Sequence, residues 1–352
     1  MNGQARVASV GRKAAQYSRT HEPPLMLHMT SKFRTHSLQV PEEFAGMRLD
    51  QALARLLPEY SRSRLKEWIE AGRVRVANRA PRPRDLLSGG ERVVVEAEPS
   101  ISPTILPQAL DLEIVHEDDC LIVINKPAGL VVHPGTGNRD RTLQNALLHH
   151  DPALAGLPRA GILHRLDKDT TGLLVVARTL AAHTALTRQL QAREIEREYE
   201  AICVGVMTAG GTIDRAIGRH RSDRVRMTVR EDGREAVTHY RVLQRFRGHT
   251  HVRVTLETGR THQIRVHFAH IRHPLVGDAT YGSRLLLPRG ATPELVAALS
   301  AFPRQALHAS RLKLIHPELE RMSEWRAPLP ADMKALLRVL REDARVAQMT
   351  RP

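Results

Sequence analysis

From residue 47 onward, apolar positions recur with a helical and then an alternating rhythm. Leu49, Leu53, Leu56 and Leu57 fall at helical intervals. Leu65, Trp68 and Ile69 repeat that spacing, with Ser61 placed to cap a second helix and Gly72 placed to end it. Val74 and Val76 then alternate with basic residues, and Val93 to Val95 read as a closing strand. This predicts a small α-α-β unit over residues 47–97. Residues 98–110, EPSISPTILPQAL, carry three prolines and little periodicity, as a linker does.

Beyond residue 111 strand patterns dominate. Ile114-Val115 and Leu121 to Ile124 flank the acidic turn Glu117-Asp118-Asp119. Leu173 to Ala177 is an unbroken apolar run, as in a strand buried on both faces. Val225 to Val229 and Val237 to Leu243 flank Asp232-Gly233, a hairpin signal. Val252, Val254 and Leu256 alternate with Arg253, Thr255 and Glu257. Helical spacing returns at 180–191, 261–270 and 331–341. The expectation is an α+β domain over residues 111–345 with a mainly antiparallel mixed sheet, then a short tail over 346–352.

The 352 residues are 41% hydrophobic but only 3% aromatic, so the cores must be aliphatic. Lys and Arg number 53 against 38 Asp and Glu, a net charge of +15, and the usual partner of such a chain is nucleic acid. Cys120 and Cys203 both lie in apolar runs and read as core thiols of a reducing, cytoplasmic compartment. No apolar run approaches the roughly 18 residues of a membrane helix. Residues 1–46 are expected to be a disordered basic extension. The first 40 have the composition of a transit peptide, with Glu22 their only acid; a tail, or a true start at Met26, Met29 or Met47, fits better.

The chemistry concentrates in a few stretches. In ILHRLDKDTTGLLVVA, residues 162–177, Asp167 stands between Arg165 and Lys168. The plain reading is a surface ion pair. The functional one is a carboxylate that attacks a glycosidic centre, which requires a nearby cation. The stretch TGRTHQIRVHFAH, residues 258–270, crowds Arg260, His262, Gln263 and Arg265 after a turn. A forked arginine is the natural partner of a buried aspartate, but spacing does not choose which arginine. His262, His267, His270 and His273 lack an HExxH or Cys/His pattern, so no metal is expected. HPGTGNRD, residues 133–140, lacks the rest of a nucleotide fingerprint and reads as a loop. Tyr199 is either core or a platform for a base. Arg62, Arg64, Lys66 and Arg73 lie off the apolar positions of the small unit, as a phosphate-binding face or a solvated one.

Four ordered blocks carry a resemblance: NKPAGLVVHPG (125–135), AGILHRLDKDTTGLLVVAR (160–178), EREYEAICVG (196–205) and LETGRTHQIRVHFAHIRHPLVGDATYG (256–282). Together they resemble the ribosomal large-subunit pseudouridine synthases, and RLDQALARLLPEYSRSRLKEWIEAGRVRVANR resembles an S4 RNA-binding domain. The likeness spans about residues 47–345. It implies Asp167 as the catalytic carboxylate and Arg165 as the side chain that fills the RNA stack left by a flipped uridine. It implies Tyr199 stacking on that base, Ile264 lining the uracil pocket, and Arg265 paired with Asp167. Lys168 and Asp169 would hold the loop's shape. One departure is Arg197, where many relatives carry lysine. The implied activity is conversion of several uridines to pseudouridine in one hairpin loop of 23S rRNA, by a monomer acting on that RNA or its precursor particle, with no metal or other cofactor. The same chemistry at other rRNA sites is an alternative. So are a non-catalytic RNA-binding assembly factor and a glycosidase with Asp169 as its second carboxylate.

Overall fold

The structure is a computed structural model and describes residues 34–57, 60, 62–97, 105–135, 137–223, 225–282 and 285–349. Ser61, residues 1–33 and residues 98–104 lie outside this set. The chain divides into two units between residues 103 and 104.

The first unit contains β1 (Arg34–Gln39), α1 (Leu49–Leu56), α2 (Arg62–Glu70), β2 (Val74–Val76) and β3 (Arg92–Ala97). Leu49, Leu53, Leu65, Trp68 and Ile69 are buried together against Val74, Val93 and Val95, as the helical and strand spacings require. Gly72 ends α2 in a left-handed conformation, φ 73°. The folded unit also takes in residues upstream of residue 47. β1 comes from the supposed extension and pairs antiparallel with β3, from Arg34 opposite Ala97 to Gln39 opposite Arg92. Its polar sequence RTHSLQ carries no strand pattern, and the hydrogen bonds of β3 make it a strand.

The second unit contains β4 (Ile114–Glu117), β5 (Leu121–Lys126), α3 (Leu143–His150), β6 (Thr171–Ala177), α4 (Leu180–Gln191), β7 (Glu196–Val204), β8 (Gly211–Asp214), β9 (Ile217–Arg219), β10 (Met227–Val229), β11 (Val237–Arg245), β12 (His249–Leu256), α5 (Gln263–His270), α6 (Pro293–Ala301), β13 (Leu307–Ile315), β14 (Met322–Arg326) and α7 (Ala331–Met349). Its main sheet runs β4-β5-β6-β13-β7-β12-β11-β8, with β14 also on β13. All its pairings are antiparallel except β6 with β13, so the α+β expectation holds. Ile122, Ile124, Leu174 and Val176 face one core with Leu143 and Leu147 of α3 and Ile264 and Phe268 of α5. Leu121, Val123, Leu173 and Val175 face the other with Leu186 of α4. That two-sided burial is why β6 reads as an unbroken apolar run.

Three local expectations are corrected. β10 pairs with β9, and β11 with β12 and β8, so Asp232-Gly233 joins no hairpin between β10 and β11. The turn instead brings Arg234 back onto Ile217. The second half of the linker lies on the second unit, where Asn145 Nδ2 donates to the Leu106 carbonyl at 2.8 Å and Gln108 N to the Asn145 carbonyl at 3.0 Å. Finally, α7 runs through Met349, into the expected tail, with Leu336, Leu337 and Leu340 buried.

One contact sets the position of the loop before β6. Gly172 has φ 113° and lies so close to β13 that a Cβ there would stand 2.2 Å from the Ala309 carbonyl oxygen. Only glycine permits that approach, and it fixes where residues 163–170 emerge.

Candidate active site

The loop that carries Asp167 is held through its backbone rather than its charged side chains. Lys126, wholly buried at the end of β5, donates to the carbonyls of Pro127, Leu130 and Lys168 at 2.7–2.9 Å. Burial pushes its ammonium down to about 8, against the attraction of Asp169 and Asp167. Arg304 donates to the Asp169 carbonyl at 3.1 Å, and Gln305 to the Thr170 hydroxyl at 3.0 Å. His164 accepts from the Val175 backbone N–H through Nε2, and burial beside Arg197 brings its ring down to about 3, so it stays neutral. Lys168 thus contributes its carbonyl to the loop, and its side chain is exposed.

With the loop fixed, the Asp167 carboxylate meets α5. Arg265 Nη1 donates to Oδ2 at 3.1 Å, and His262 Nε2 lies 3.8 Å from Oδ1. Arg260 does not share this role, because its Nε donates to the Glu235 carbonyl. The fork of Arg265 is nevertheless not spent on Asp167. Its Nε and Nη2 donate to the two oxygens of Asp278 at 2.7 and 2.8 Å. The Asp278 side chain has no exposed surface, and its Oδ1 also accepts from the backbone of Thr280 and Tyr281. Burial would raise the Asp278 carboxyl, but Arg265 and those two N–H groups outweigh it and hold the value below the ordinary range. Arg265 is driven upward in turn, chiefly by Asp278. Asp167 therefore receives a single N–H from a guanidinium that a second carboxylate already neutralises, which leaves most of its lone pairs open.

Asp167 opens on a cleft of about 820 Å³. Arg159, Arg165, Arg193, Arg197 and Arg260 line it, against the carboxylates of Asp167 and Glu257, so its field suits a polyanion. Arg165 is exposed at the cleft. Tyr199, on β7, and Ile264, on α5, line the same cleft and are buried at 6% and 4% exposure. The structure thus gathers Asp167, Arg165, Tyr199, Ile264 and Arg265 within one site. Sequence reasoning missed Lys126, Asp278, Tyr281 and Arg304. A lysine closing the apolar run LIVINK was a usable sign for the first, and GDATYG at the end of the fourth block for Asp278 and Tyr281, while nothing local marks Arg304.

The other four candidates belong to the first unit. Arg62 forks onto Asp50 at 3.1 and 2.7 Å, as Arg48 does at 3.0 Å. Arg62 and Lys66 line a groove with Arg48, Arg82 and Arg84, while Arg64 lies over the Trp68 ring at 5.6 Å. Arg73 is half-buried between Gly72 and strand β2.

The histidines between residues 262 and 273 do not converge. His267 bonds Thr238 and the Arg215 carbonyl, and His273 bonds the Val204 carbonyl. Among the described residues, metal-like spacing occurs at His116, Asp118 and His316. There the His316 Nδ1 accepts from the backbone of Glu318 and Leu319, so its Nε2 carries the proton and donates to Asp118 at 2.9 Å. Asp118 Oδ1 caps the backbone of Cys120 and Leu121. This cluster is a closed clamp on the β4–β5 turn.

A sparsely bonded carboxylate on an arginine-lined cleft, carried by a loop that leads into a mostly antiparallel sheet, suits a polyanionic substrate. The RNA pseudouridylate synthase family pattern matches residues 120–270, and the S4 domain pattern matches residues 47–93. A Pseudomonas aeruginosa protein called ribosomal large subunit pseudouridine synthase D is 57% identical over 305 residues, covering 87% of this chain and 95% of its own. A Xanthomonas campestris protein of the same name is 55% identical over 313 residues, covering 89% and 95%. The solved structure of human RNA pseudouridylate synthase domain containing 4 is 29% identical with a TM-score of 0.51, covering 65% of this chain and 92% of that one. The chain belongs to the pseudouridine synthase family and is an enzyme of that class, with an S4 domain at its N-terminal side.

Proposed function

We propose that this enzyme converts uridines to pseudouridine in one hairpin loop of 23S rRNA, and that Asp167 is its catalytic carboxylate. The supporting observation is the sparing coordination of Asp167: one arginine N–H at 3.1 Å, on a cleft rich in arginine. Uridine C5 is inaccessible within stacked RNA, so the base must leave the stack, at a cost of a few kcal/mol. Arg165, exposed at the cleft, fills the gap, and Tyr199 stacks on the flipped base above Ile264. The N1–C1′ bond breaks with help from the carboxylate, at ribose C1′ or at uracil C6. The uracil turns, C5 bonds to C1′, the C5 proton leaves and N1 gains one. Nothing is oxidised or reduced overall, so the reaction calls for no redox cofactor.

The first unit, with Arg62, Arg64, Lys66 and Arg73, supplies affinity through phosphates. The partner is 23S rRNA or its precursor particle, bound by a monomer in the cytoplasm. No described helix is long and apolar enough to cross a membrane. The test is to treat rRNA from a strain lacking the enzyme and to map carbodiimide-blocked reverse-transcription stops. Stops clustered in one hairpin loop are expected. Their absence with wild-type enzyme would overturn the assignment, and stops at scattered sites would overturn the single-loop target.

A further inference from the structure

Asp167 has a second neighbour, His262, with a partner beside each ring nitrogen. Tyr281 Oη lies 2.8 Å from the Met227 backbone N–H and 2.8 Å from His262 Nδ1. The backbone group can only donate, so the hydroxyl accepts there; with Nε2 turned toward the Asp167 carboxylate, which can only accept, the arrangement that suits both ring nitrogens has the hydroxyl donate its own proton to Nδ1. The imidazole then carries its hydrogen on Nε2, the nitrogen 3.8 Å from Asp167 Oδ1. The arrangement is built. His262 is held at φ 56° and ψ 22°, a left-handed conformation that is strained for a side chain of this size. The Tyr281 ring stands edge-on to the imidazole at 5.6 Å and lies 5.0 Å from the Arg265 guanidinium carbon.

We propose that Tyr281 is a positioning residue acting through His262: its hydroxyl locks the imidazole in the neutral Nε2–H form, so that Asp167 meets a weak donor and its carboxylate stays open to the substrate. This rests on Asp167 being the catalytic group. Tyr281 and Asp278 share one turn, so a single segment sets both neighbours of Asp167, Arg265 through a carboxylate and His262 through a hydroxyl.

The groups facing His262 are Asp167 and Asp278, which favour its protonation, and Arg265 and Arg165, which oppose it. Burial is the largest influence and keeps the ring below its ordinary value. To protonate, Nδ1 must give up the hydrogen bond that it accepts from Tyr281, and the hydroxyl must turn its own proton away from that bond. Without the hydroxyl that obstacle disappears, and an imidazolium can form and pair with Asp167.

The test is the pH profile of kcat for Tyr281→Phe, which keeps the ring against Arg265 and removes only the hydroxyl. The acid limb should move up toward the ordinary imidazole value near 6.5, leaving turnover about tenfold below wild type one pH unit under it. Turnover should return to near wild type above about pH 8, with KM for the RNA within about twofold throughout. His262→Asn tolerates the left-handed backbone and cannot titrate, so adding it to Tyr281→Phe should abolish the displaced limb. A pH-independent loss in Tyr281→Phe, an unmoved limb, or a displaced limb that persists in the double variant would overturn the proposal. If Tyr281→Phe does not fold, His262→Asn alone decides: its acid limb must lie no higher than that of wild type. Wild-type enzyme that forms no pseudouridine, or an active Asp167→Asn, would instead overturn the functional assignment beneath it.

Discussion

Asp50 of the first unit and Asp167 of the second unit resemble each other in sequence, each an acid among basic residues. Their coordination differs. Asp50 is almost wholly buried and receives four N–H groups from Arg48 and Arg62. Asp167 receives one, although the arginine beside it has a full fork. In the second unit the saturated carboxylate is Asp278, which takes the fork of Arg265 plus two backbone N–H groups. A saturated carboxylate organises the chain, whereas one with free lone pairs can act on a substrate. At this site the second unit joins one of each through the same guanidinium.

The largest effect should come from replacing the open carboxylate. Asp167→Asn should lose turnover by at least about a thousandfold while keeping its melting temperature and its RNA affinity. Tritium release from C5-labelled uridine in rRNA measures this, and activity within tenfold of wild type would end the assignment. Asp50→Asn, by contrast, should retain turnover at saturating RNA.

Next in size is the buried pair. Arg265→Ala or Asp278→Ala leaves an uncompensated buried charge, which costs about 3–5 kcal/mol. At about 2–4 °C per kcal/mol for a domain of this size, thermal melting should shift by roughly 6–20 °C. Arg265→Lys should fold but turn over slowly, since an ammonium cannot bridge two carboxylates with a planar fork. A stable, active Asp278→Ala would show that Arg265 needs no second anchor.

The two saturated carboxyls also predict a pH dependence. For Asp278, as for Asp50, burial pushes upward, but the arginine hydrogen bonds win and the folded value is lowered. Below the unfolded carboxylate value the unfolded chain therefore binds more protons than the folded one. The stabilisation is complete above about pH 4 and is lost as pH falls further through the folded values. The melting gap between wild type and Asp278→Asn should accordingly shrink as the pH falls below about 4. A gap that widens in acid would contradict the sign.

Smallest is the effect of single cations in the first unit. Lys66 pairs with Glu70 at 3.5 Å with both side chains more than half exposed. Lys66→Ala should weaken RNA binding by no more than a few-fold, lower the salt dependence of binding by about one counterion, and leave kcat unchanged. A fall in kcat would mean that the first unit helps to build the catalytic site.

Much of this was legible in one dimension. Apolar spacing located α1, α2, α4 and β6 because each buries a face whose period its own residues display. The blocks around Asp167, Tyr199 and Arg265 marked the site through their likeness to a known family, although they fall on a loop, a strand and a helix far apart in the chain. The misplaced elements lack that self-contained pattern. β1 is a strand only because β3 offers it a ladder, and β10 chose β9 over β11 by register rather than by the turn beside it. The sequence by itself determined the α+β class, the two units, the RNA-suited charge and the block that carries Asp167. Only the tertiary structure decided where each hydrogen bond went. Lys126 and Lys168 lie 42 residues apart and Asp167 and Arg265 lie 98 apart, and chain spacing says nothing about which way a fork turns once those segments meet. That choice gave Arg265 to Asp278, set the His262 proton through Tyr281, and left Asp167 open.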